Sequence, residues 1–343
     1  MPSSRKTSWA SAFSLTALIS VVGCQTVNPT ADYARSSELV REHTGSADVY
    51  DPNAGASVDE KVAALLADGL TVDEAVRVAL LNNQGFHAAF HEIGASRADV
   101  VQSGLLSNPS LSLSVRFPEG GGRSNLTAGF AQQIVDLWQI PVRKRVAEAE
   151  LEQVILSAAD RAVRLSAETK HAYYQVLAAE KAEALAQENL KLVQRSVDLA
   201  QARFDAGEVG LVDVNLVRAN LINVQLDAIR ARRYREEATN RLSRLLGLSR
   251  SLTEWTLSDS WPDAVALTVD EDQILLVALG QRLDAGIAAL RVKAAEAELE
   301  KEYRNVFPNV TLGLEGERPE RRALPGRNVL ADTARTSIAS GAL

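Results

Sequence analysis

The feature that most constrains this chain is a run of 64 residues, 142–205, that contains neither proline nor glycine. At about 1.5 Å per residue, one helix of this length reaches roughly 96 Å, whereas globular helices average about 11 to 12 residues. Alanine recurs along the run, and small side chains let a second helix approach closely. The run therefore predicts a rod that packs lengthwise against another helix.

That second helix is predicted to return along the rod. Gly207 follows the run and can adopt the left-handed conformation that closes a helix. A helix of about 36 residues is then predicted from Leu211 to Leu246. Asp213 falls in its first turn, where the positive end of the helix dipole stabilises a carboxylate. Residues 140–247 thus predict a long antiparallel helical hairpin.

A phrase repeated in the chain indicates a duplicated architecture. Leu-Thr-Val-Asp-Glu occurs at residues 70–74 and again at residues 267–271. Each copy is followed by a helical pattern, a proline and an alternating segment, at an offset of 197 residues for the phrase and 199 for the prolines. A repeat this long is not a solenoid unit of about 20 to 50 residues. Thr71 and Glu74 have capping-box spacing, which predicts one helix from Asp73 towards Leu106.

The hydrophobic period then changes from helical to alternating on both sides of a glycine-rich turn at residues 118–124. This pattern predicts a β-hairpin over residues 109–132 with one apolar and one polar face. A hairpin packed on helices of a soluble domain and a pair of outer-membrane strands are both consistent with it. The candidate membrane-facing side chains are Leu111, Leu113, Val115 and Phe117.

The N-terminus is predicted to be a targeting segment. Arg5 and Lys6 precede about 14 apolar or small residues, too few to span a bilayer. The only cysteine, Cys24, ends this stretch as in a bacterial lipobox, so residues 1–23 predict a lipoprotein signal peptide and Cys24 the lipidation site. The alternatives are an ordinary signal peptide with a chance cysteine and a buried apolar thiol. Residues 24–69 predict a polar periplasmic arm with a short helix near its end.

Several short sequence motifs, taken in their order along the chain, resemble those of the TolC-type outer-membrane efflux factors. The resemblance covers about residues 70–316. It implies a mainly α-helical fold with a small β part, in which long helical hairpins form an α-barrel and the strands contribute to a trimeric membrane β-barrel. The phrases that carry the resemblance are Leu70-Thr-Val-Asp-Glu-Ala-Val, Asn82-Asn83, Leu106-Ser-Asn-Pro109-Ser-Leu, Ala202-Arg-Phe-Asp-Ala-Gly207, Asp213-Val-Asn-Leu, Arg241-Leu-Ser-Arg-Leu-Leu-Gly247-Leu and Phe307-Pro308-Asn.

The function implied by this resemblance is a passive export duct of a tripartite efflux system. The implied partners are two further copies of the chain, a periplasmic adaptor, an inner-membrane pump and outer-membrane lipid. The implied location is the outer membrane, lipid-anchored, with a large periplasmic part. Gly207, Gly210 and Asp213 match the adaptor-docking tip, although family members commonly have Ser or Thr where Gly210 stands. The alternatives are a lipid-anchored periplasmic coiled-coil scaffold and a non-functional truncated efflux protein.

The second repeat is predicted to be shorter than the first. Residues 249–266 form a connector, residues 267–317 supply a helix and a third strand, and residues 318–343 are predicted to be an irregular tail. The pattern of the first copy, residues 70–248, would continue with a fourth strand and a second long hairpin. We therefore expect a truncated or incompletely recorded gene product that does not close a barrel alone.

Other chemistry is not indicated. The formal charge of −7 and the lack of a basic, aromatic-interleaved stripe argue against nucleic-acid binding. No nucleophile motif, phosphate loop or zinc signature is present, so we expect neither an enzyme nor a cofactor. His87 and His91 share a helix face and are weak candidates for metal ligands. Glu92 is the one further candidate ligand near them in the sequence. Metal binding is not predicted.

A short basic run, Arg143-Lys144-Arg145, stands where the rod begins. Cations at this end oppose the helix dipole. The run can meet lipid headgroups at the periplasmic membrane surface, or it can be a solvated charge run. Trp138 suits an interfacial aromatic position.

Overall fold

The computed structural model describes residues 26–53, 57–117, 122–248, 255–261, 270–306, 310–318 and 321–322. They divide into two compact units. The strand unit comprises Met1–Pro29, Ser96–Glu148 and Ala294–Leu343, and the helical unit comprises Thr30–Ala95 and Ala149–Lys293. The predicted signal peptide with Cys24, most of the connector and nearly all of the tail lie outside the described residues.

The mainly α-helical fold with a small β part is confirmed. In chain order the elements are α1 (Thr30–Thr44), α2 (Ser57–Leu66), α3 (Val72–Asn82), α4 (Gln84–Ser103), β1 (Ser110–Arg116), β2 (Gly122–Arg123), β3 (Asn125–Gln133), α5 (Asp136–Asp205), α6 (Leu211–Leu245), α7 (Glu271–Gln281), α8 (Leu283–Asn305), β4 (Thr311–Arg318) and β5 (Arg321–Arg322).

The N-terminal arm is more structured than predicted. It contains α1 as well as the expected short helix α2. Helix α1 packs on α4, since the Tyr33 ring stacks on Phe90 with ring centroids 6.2 Å apart. The buried face of α1 also includes Ser36 and Ser37, whose small polar side chains hide the apolar periodicity from sequence reasoning.

The first helix of the repeat begins as predicted but is broken. Thr71 caps α3, and its hydroxyl accepts from the Glu74 N–H while the Glu74 carboxylate accepts from the Thr71 N–H, so the capping box is confirmed. The helix does not continue to Leu106, because Asn83 is extended (φ −71°, ψ 116°) and separates α3 from α4. The Asn83 carboxamide oxygen accepts from the Phe86 N–H and starts the next helix.

The second repeat shows the same break. Helix α7 has 11 residues, as α3 has, and Arg282 after it is extended (φ −71°, ψ 111°). Helix α8 follows directly, as α4 follows Asn83. The breaks at Asn83 and Arg282 are 199 residues apart, the same offset as the two prolines. The two extra residues of the second copy therefore lie before Arg282.

The rod is the 70-residue helix α5, which begins at Asp136, six residues before the run without proline or glycine. Its start is held by bonds to residues three positions back, from Leu137 N–H to the Ile134 carbonyl and from Trp138 N–H to the Val135 carbonyl. Pro141 lies inside the helix. Because proline cannot donate a backbone hydrogen bond, it fits best in such a first turn or two.

Candidate functional site

The strand unit contains a three-stranded antiparallel sheet in the order β1-β3-β4, so strands from both repeats are neighbours. The register places Leu111 opposite Phe130 and Phe130 opposite Leu314. Residues that face each other across antiparallel strands project to the same side. The pairing therefore gives the sheet one largely apolar face, with Leu111, Leu113, Val115, Leu126, Phe130, Leu312 and Leu314 on it. Gln132, opposite Leu312, and Arg318, opposite Leu126, lie at the ends of the same face.

This apolar face is exposed to solvent. Leu111 is 82%, Leu113 72% and Phe117 78% exposed. Exposed apolar patches of this kind mark a protein or membrane contact. The four side chains singled out from the sequence thus share one exposed side of β1 and the residue that follows it.

The opposite face of the sheet is polar. Ser112, Ser114, Thr127 and Glu317 lie on it, and the Asn125 amide donates to the Glu317 carboxylate at 2.7 Å. Gly129 belongs to the same face, where a Cβ would stand 2.5 Å from the Ser112 hydroxyl. A sheet with one apolar and one polar face can separate lipid from water.

The base of the sheet is tied to the helices by Asp136. This buried carboxylate accepts from the Ser107 N–H at 2.7 Å and pairs with Arg143 at 3.0 Å. Burial opposes ionisation, but the Ser107 bond and the Arg143 charge together lower the pKa of Asp136. Arg143 also donates to the Leu105 carbonyl.

The basic run makes ion pairs but stays partly solvated, since the side chains of Lys144 and Arg145 are 52% and 53% exposed. In addition to the Arg143–Asp136 pair, Arg145 pairs with Glu300 at 2.7 Å. Lys144 lies 3.5 Å from Glu148 on the same helix. Trp138 is partly exposed, and its carbonyl accepts from Arg304. The sequence could not reveal these partners, because Glu300 and Arg304 lie in the other repeat.

The hairpin tip between α5 and α6 is a Schellman turn. Gly207 has φ +77°, its N–H donates to the Phe204 carbonyl, and the Glu208 N–H donates to the Arg203 carbonyl, both at 2.9 Å. The Gly210 N–H donates to the Asp213 carboxylate at 3.0 Å and so caps α6. The structure brings all three predicted tip residues to one turn.

The two histidines singled out as weak metal candidates both face Tyr50. The His87 ring stacks on Tyr50 with centroids 3.7 Å apart, and its Nε2 lies 2.7 Å from the Leu81 carbonyl. The His91 Nε2 lies 3.3 Å from the Tyr50 hydroxyl. Within the described ranges, no group of three or more His, Cys, Asp or Glu residues could hold a metal ion.

The break at Asn83 is fixed by the end of the hairpin. The Asn82 amide donates to the Leu246 carbonyl and the Asn83 amide to the Leu245 carbonyl, each at 2.9 Å. Gly247 has φ +70°, and a Cβ on it would stand 2.3 Å from the Asn82 carbonyl oxygen. Two of the motifs that carry the family resemblance, Asn82-Asn83 and residues 241–248, therefore meet at this joint.

A second joint fixes the start of α3. Leu70 and Leu257 form a parallel bridge, which brings part of the connector beside the first repeat. The Tyr173 hydroxyl lies 2.8 Å from the Leu70 carbonyl and 3.0 Å from the Asp259 carboxylate. Burial, together with the bond to Asp259, raises the pKa of Tyr173. Asp259 also accepts from the Val72 N–H.

The fold is that of outer-membrane efflux channels. It is similar to the structures of CusC (TM-score 0.56, 18% identity), OprN (0.54, 23%) and the open state of MtrE from Neisseria gonorrhoeae (0.55, 19%). These matches cover 72%, 81% and 72% of this chain. They cover 60%, 64% and 58% of the respective solved chains, so this chain spans about 60% of the length of its structural relatives.

The sequence comparison agrees with the fold. Residues 75–248, half of the chain, match the family described as outer membrane efflux protein. The chain therefore belongs to the outer membrane efflux protein family, a family of channels and not of enzymes. No protein with a curated description matches the chain significantly.

Along the described residues no single helix is long and apolar enough to cross a bilayer. The bent pair Asp272–Ala278 and Leu283–Asn305, with 46° between its halves, meets the length and composition test only when the two are taken together.

Proposed function

We propose that this chain is the outer-membrane channel component of a tripartite efflux system, a passive duct for substrates delivered by an inner-membrane pump and a periplasmic adaptor. The observation that carries the proposal is the sheet with an exposed apolar face and a polar face. A periplasmic coiled-coil scaffold, the alternative, has no use for Leu111, Leu113 and Phe117 on one exposed side.

In this proposal three copies of the chain assemble around one axis. The apolar face of each sheet contacts lipid, and the polar face lines a water-filled passage. A lipid-exposed sheet needs its edges paired, because unpaired backbone groups are costly in hydrocarbon. Strands β1 and β4 are the edges of the described sheet. We expect them to pair with strands from outside the described sheet, in the same chain or in neighbouring copies.

The test of the lipid-facing assignment uses two adjacent positions on β1. Leu113→Lys puts a charge on the apolar face, where lysine at mid-membrane costs about 2 to 4 kcal/mol. Ser114→Lys puts the same charge on the polar face. Because a lipid anchor at Cys24 would hold either variant in the membrane fraction, the readout is the cross-linked trimer in the outer membrane, which we expect Leu113→Lys to abolish and Ser114→Lys to preserve. Equal behaviour of the two variants, in either direction, contradicts the assignment.

Conduction is tested with the purified full chain in a planar bilayer. The duct predicts stepwise ion conductance from a trimer that chemical cross-linking detects, whereas a chain that does not close a barrel alone gives no conductance. A cross-linked trimer that gives no conductance would contradict the duct function and favour the scaffold.

Lipid anchoring needs a separate experiment. Labelled palmitate should be incorporated into the wild type, and this incorporation should be lost in Cys24→Ser.

The tip of the hairpin is proposed to dock the adaptor. Gly207, Gly210 and Asp213 shape the turn, and beside them Val212 is 80% exposed and Leu211 is exposed too. An exposed apolar pair on a tight turn suits packing against another helical hairpin. A photo-crosslinking residue at Val212 should capture a periplasmic adaptor in cells. The same residue at Arg230, exposed farther along α6, is the matched control and should not.

A further inference from the structure

Three helix ends meet at the base of the sheet. Helix α4 ends shortly before β1, α5 begins shortly after β3, and α8 ends shortly before β4. The first turn of α5 lies beside the last turn of α8, since Arg304 donates to the Trp138 carbonyl at 2.8 Å. Arg143 of α5 donates to the Leu105 carbonyl, between α4 and β1, at 3.1 Å. These contacts, all within the strand unit, join the three helix ends into one surface.

This surface presents apolar side chains to solvent. Leu137, Tyr303 and Val306 are 65%, 69% and 80% exposed, and Leu106 and Trp138 are exposed as well. We name these five side chains the base patch. They come from both repeats, so the patch exists only in the folded chain.

The base patch keeps a nearly constant spacing from the strands. Leu106 lies four residues before β1, Leu137 four residues after β3, and Val306 five residues before β4. Strand β3 has nine residues, a length that crosses the hydrocarbon core of a bilayer when the strand is tilted by about 45°. In the proposed position of the sheet, the base patch therefore lies at the level of the lipid headgroups.

Basic side chains accompany the base patch. Lys144 and Arg145 follow Trp138 on α5, and both stay about half exposed although each has a carboxylate partner. Tryptophan and tyrosine rings, together with the long side chains of lysine and arginine, anchor proteins at the membrane–water interface. The core of a protein–protein interface is, by contrast, depleted in lysine. The composition of this surface therefore favours lipid over a protein partner.

We propose that the base patch binds the headgroup region of phospholipids in the periplasmic leaflet, and so fixes the depth of the sheet in the membrane. The rings of Trp138 and Tyr303 stand at the boundary between headgroups and acyl chains. The inference rests on the proposed function, because the patch continues a sheet whose apolar face contacts lipid. The competing occupant is a neighbouring copy of the chain, which would shield the same side chains from lipid.

The experiment measures tryptophan fluorescence of the purified full chain in phosphatidylcholine vesicles that carry a quenching spin label on the headgroup or at the middle of the acyl chain. The tryptophans of the chain are at positions 9, 138, 255 and 261. Three variants keep one tryptophan each and have phenylalanine at the other positions. One keeps Trp138, one keeps Trp261, and the third carries Leu113→Trp on the apolar face of the sheet. Circular dichroism verifies that all three fold.

Trp261 is the matched control. It is more exposed than Trp138 but belongs to the helical unit, which the proposed function places in the periplasm. We expect a loss of Trp138 emission that is greater with the headgroup label than with the chain label. For Leu113→Trp the chain label should cause the greater loss, and Trp261 should lose emission with neither label.

The outcomes separate the base patch from the proposed function. If Leu113→Trp is quenched and Trp138 is not, a neighbouring copy covers the patch and the proposal is overturned, while the sheet stays in lipid. Quenching of Trp138 mainly by the chain label, or equal quenching of Trp261, also overturns it. Absence of quenching at both Trp138 and Leu113→Trp contradicts the membrane position of the sheet as well. The measurement needs no open channel, so a failed conductance test does not decide it.

Discussion

The joint between Asn82 and Gly247 allows a sharp test with two glycines of the same conformation. Gly207 and Gly247 have φ of +77° and +70°, yet they differ in surroundings. A Cβ on Gly207 meets nothing within 4 Å, whereas one on Gly247 would stand 2.3 Å from the Asn82 carbonyl oxygen and 2.9 Å from its carbon. Substitution by alanine therefore separates backbone strain from steric overlap.

Strain alone sets the expected cost of Gly207→Ala at about 1 to 2 kcal/mol. Gly247→Ala carries the same strain and also displaces the Asn82 backbone, which endangers the two amide bonds to Leu245 and Leu246 at about 1 kcal/mol each. Its total is roughly 3 to 4 kcal/mol. At about 2 to 4 °C per kcal/mol, the Tm should fall by about 2 to 8 °C for Gly207→Ala and about 6 to 16 °C for Gly247→Ala.

The assay is thermal unfolding followed by helical circular dichroism, with all variants compared at one protein concentration and one heating rate because membrane proteins often unfold irreversibly. Asparagine at the same positions provides the control, since it tolerates the left-handed conformation but keeps the Cβ. Gly207→Asn should be nearly neutral, and Gly247→Asn should remain strongly destabilising. Equal Tm losses at the two positions would refute the role of the close approach.

Three further predictions concern the polar contacts. Asn83→Ala removes the bond to Leu245 and the cap of α4, and should cost about 1 to 3 kcal/mol by denaturant unfolding; an unchanged midpoint contradicts the joint. Because the pKa of Asp136 is lowered, its contribution is complete above the ordinary aspartate pKa of about 3.9 and is lost as pH falls below it, so Asp136→Asn should flatten that part of the stability–pH curve. The raised pKa of Tyr173 has the opposite sign, so stability should fall above about pH 10 in the wild type, and less in Tyr173→Phe.

The parts of the fold that sequence reasoning predicts are those set by local chemistry. The Thr71 and Glu74 cap, the left-handed Gly207 and the alternation along β1 each depend on residues within a few positions. The break at Asn83 was missed because its partner Leu245 is 162 residues away, and helical periodicity continues across it. Helix α1 was missed because serines occupy much of its buried face.

The candidate site divides in the same way. The apolar face of β1 can be predicted from the alternation of apolar and polar residues alone. The structure adds that Phe130 and Leu314 extend this face across three strands. The partners of Arg143 and Arg145 could not be predicted, because an ion pair leaves no periodic trace in the sequence.

The bonds from Asn82 and Asn83 to Leu246 and Leu245 also set an order of events during synthesis. Their donors and acceptors are 164 and 162 residues apart. The bonds that fix the break before α4 therefore cannot form until the end of α6 has been translated. At about 5 to 20 residues per second, that interval is roughly 8 to 30 s. Throughout it the apolar face of α3 has no hairpin to cover it. The joint therefore cannot close until residues 245 and 246 are available to accept the two amide bonds.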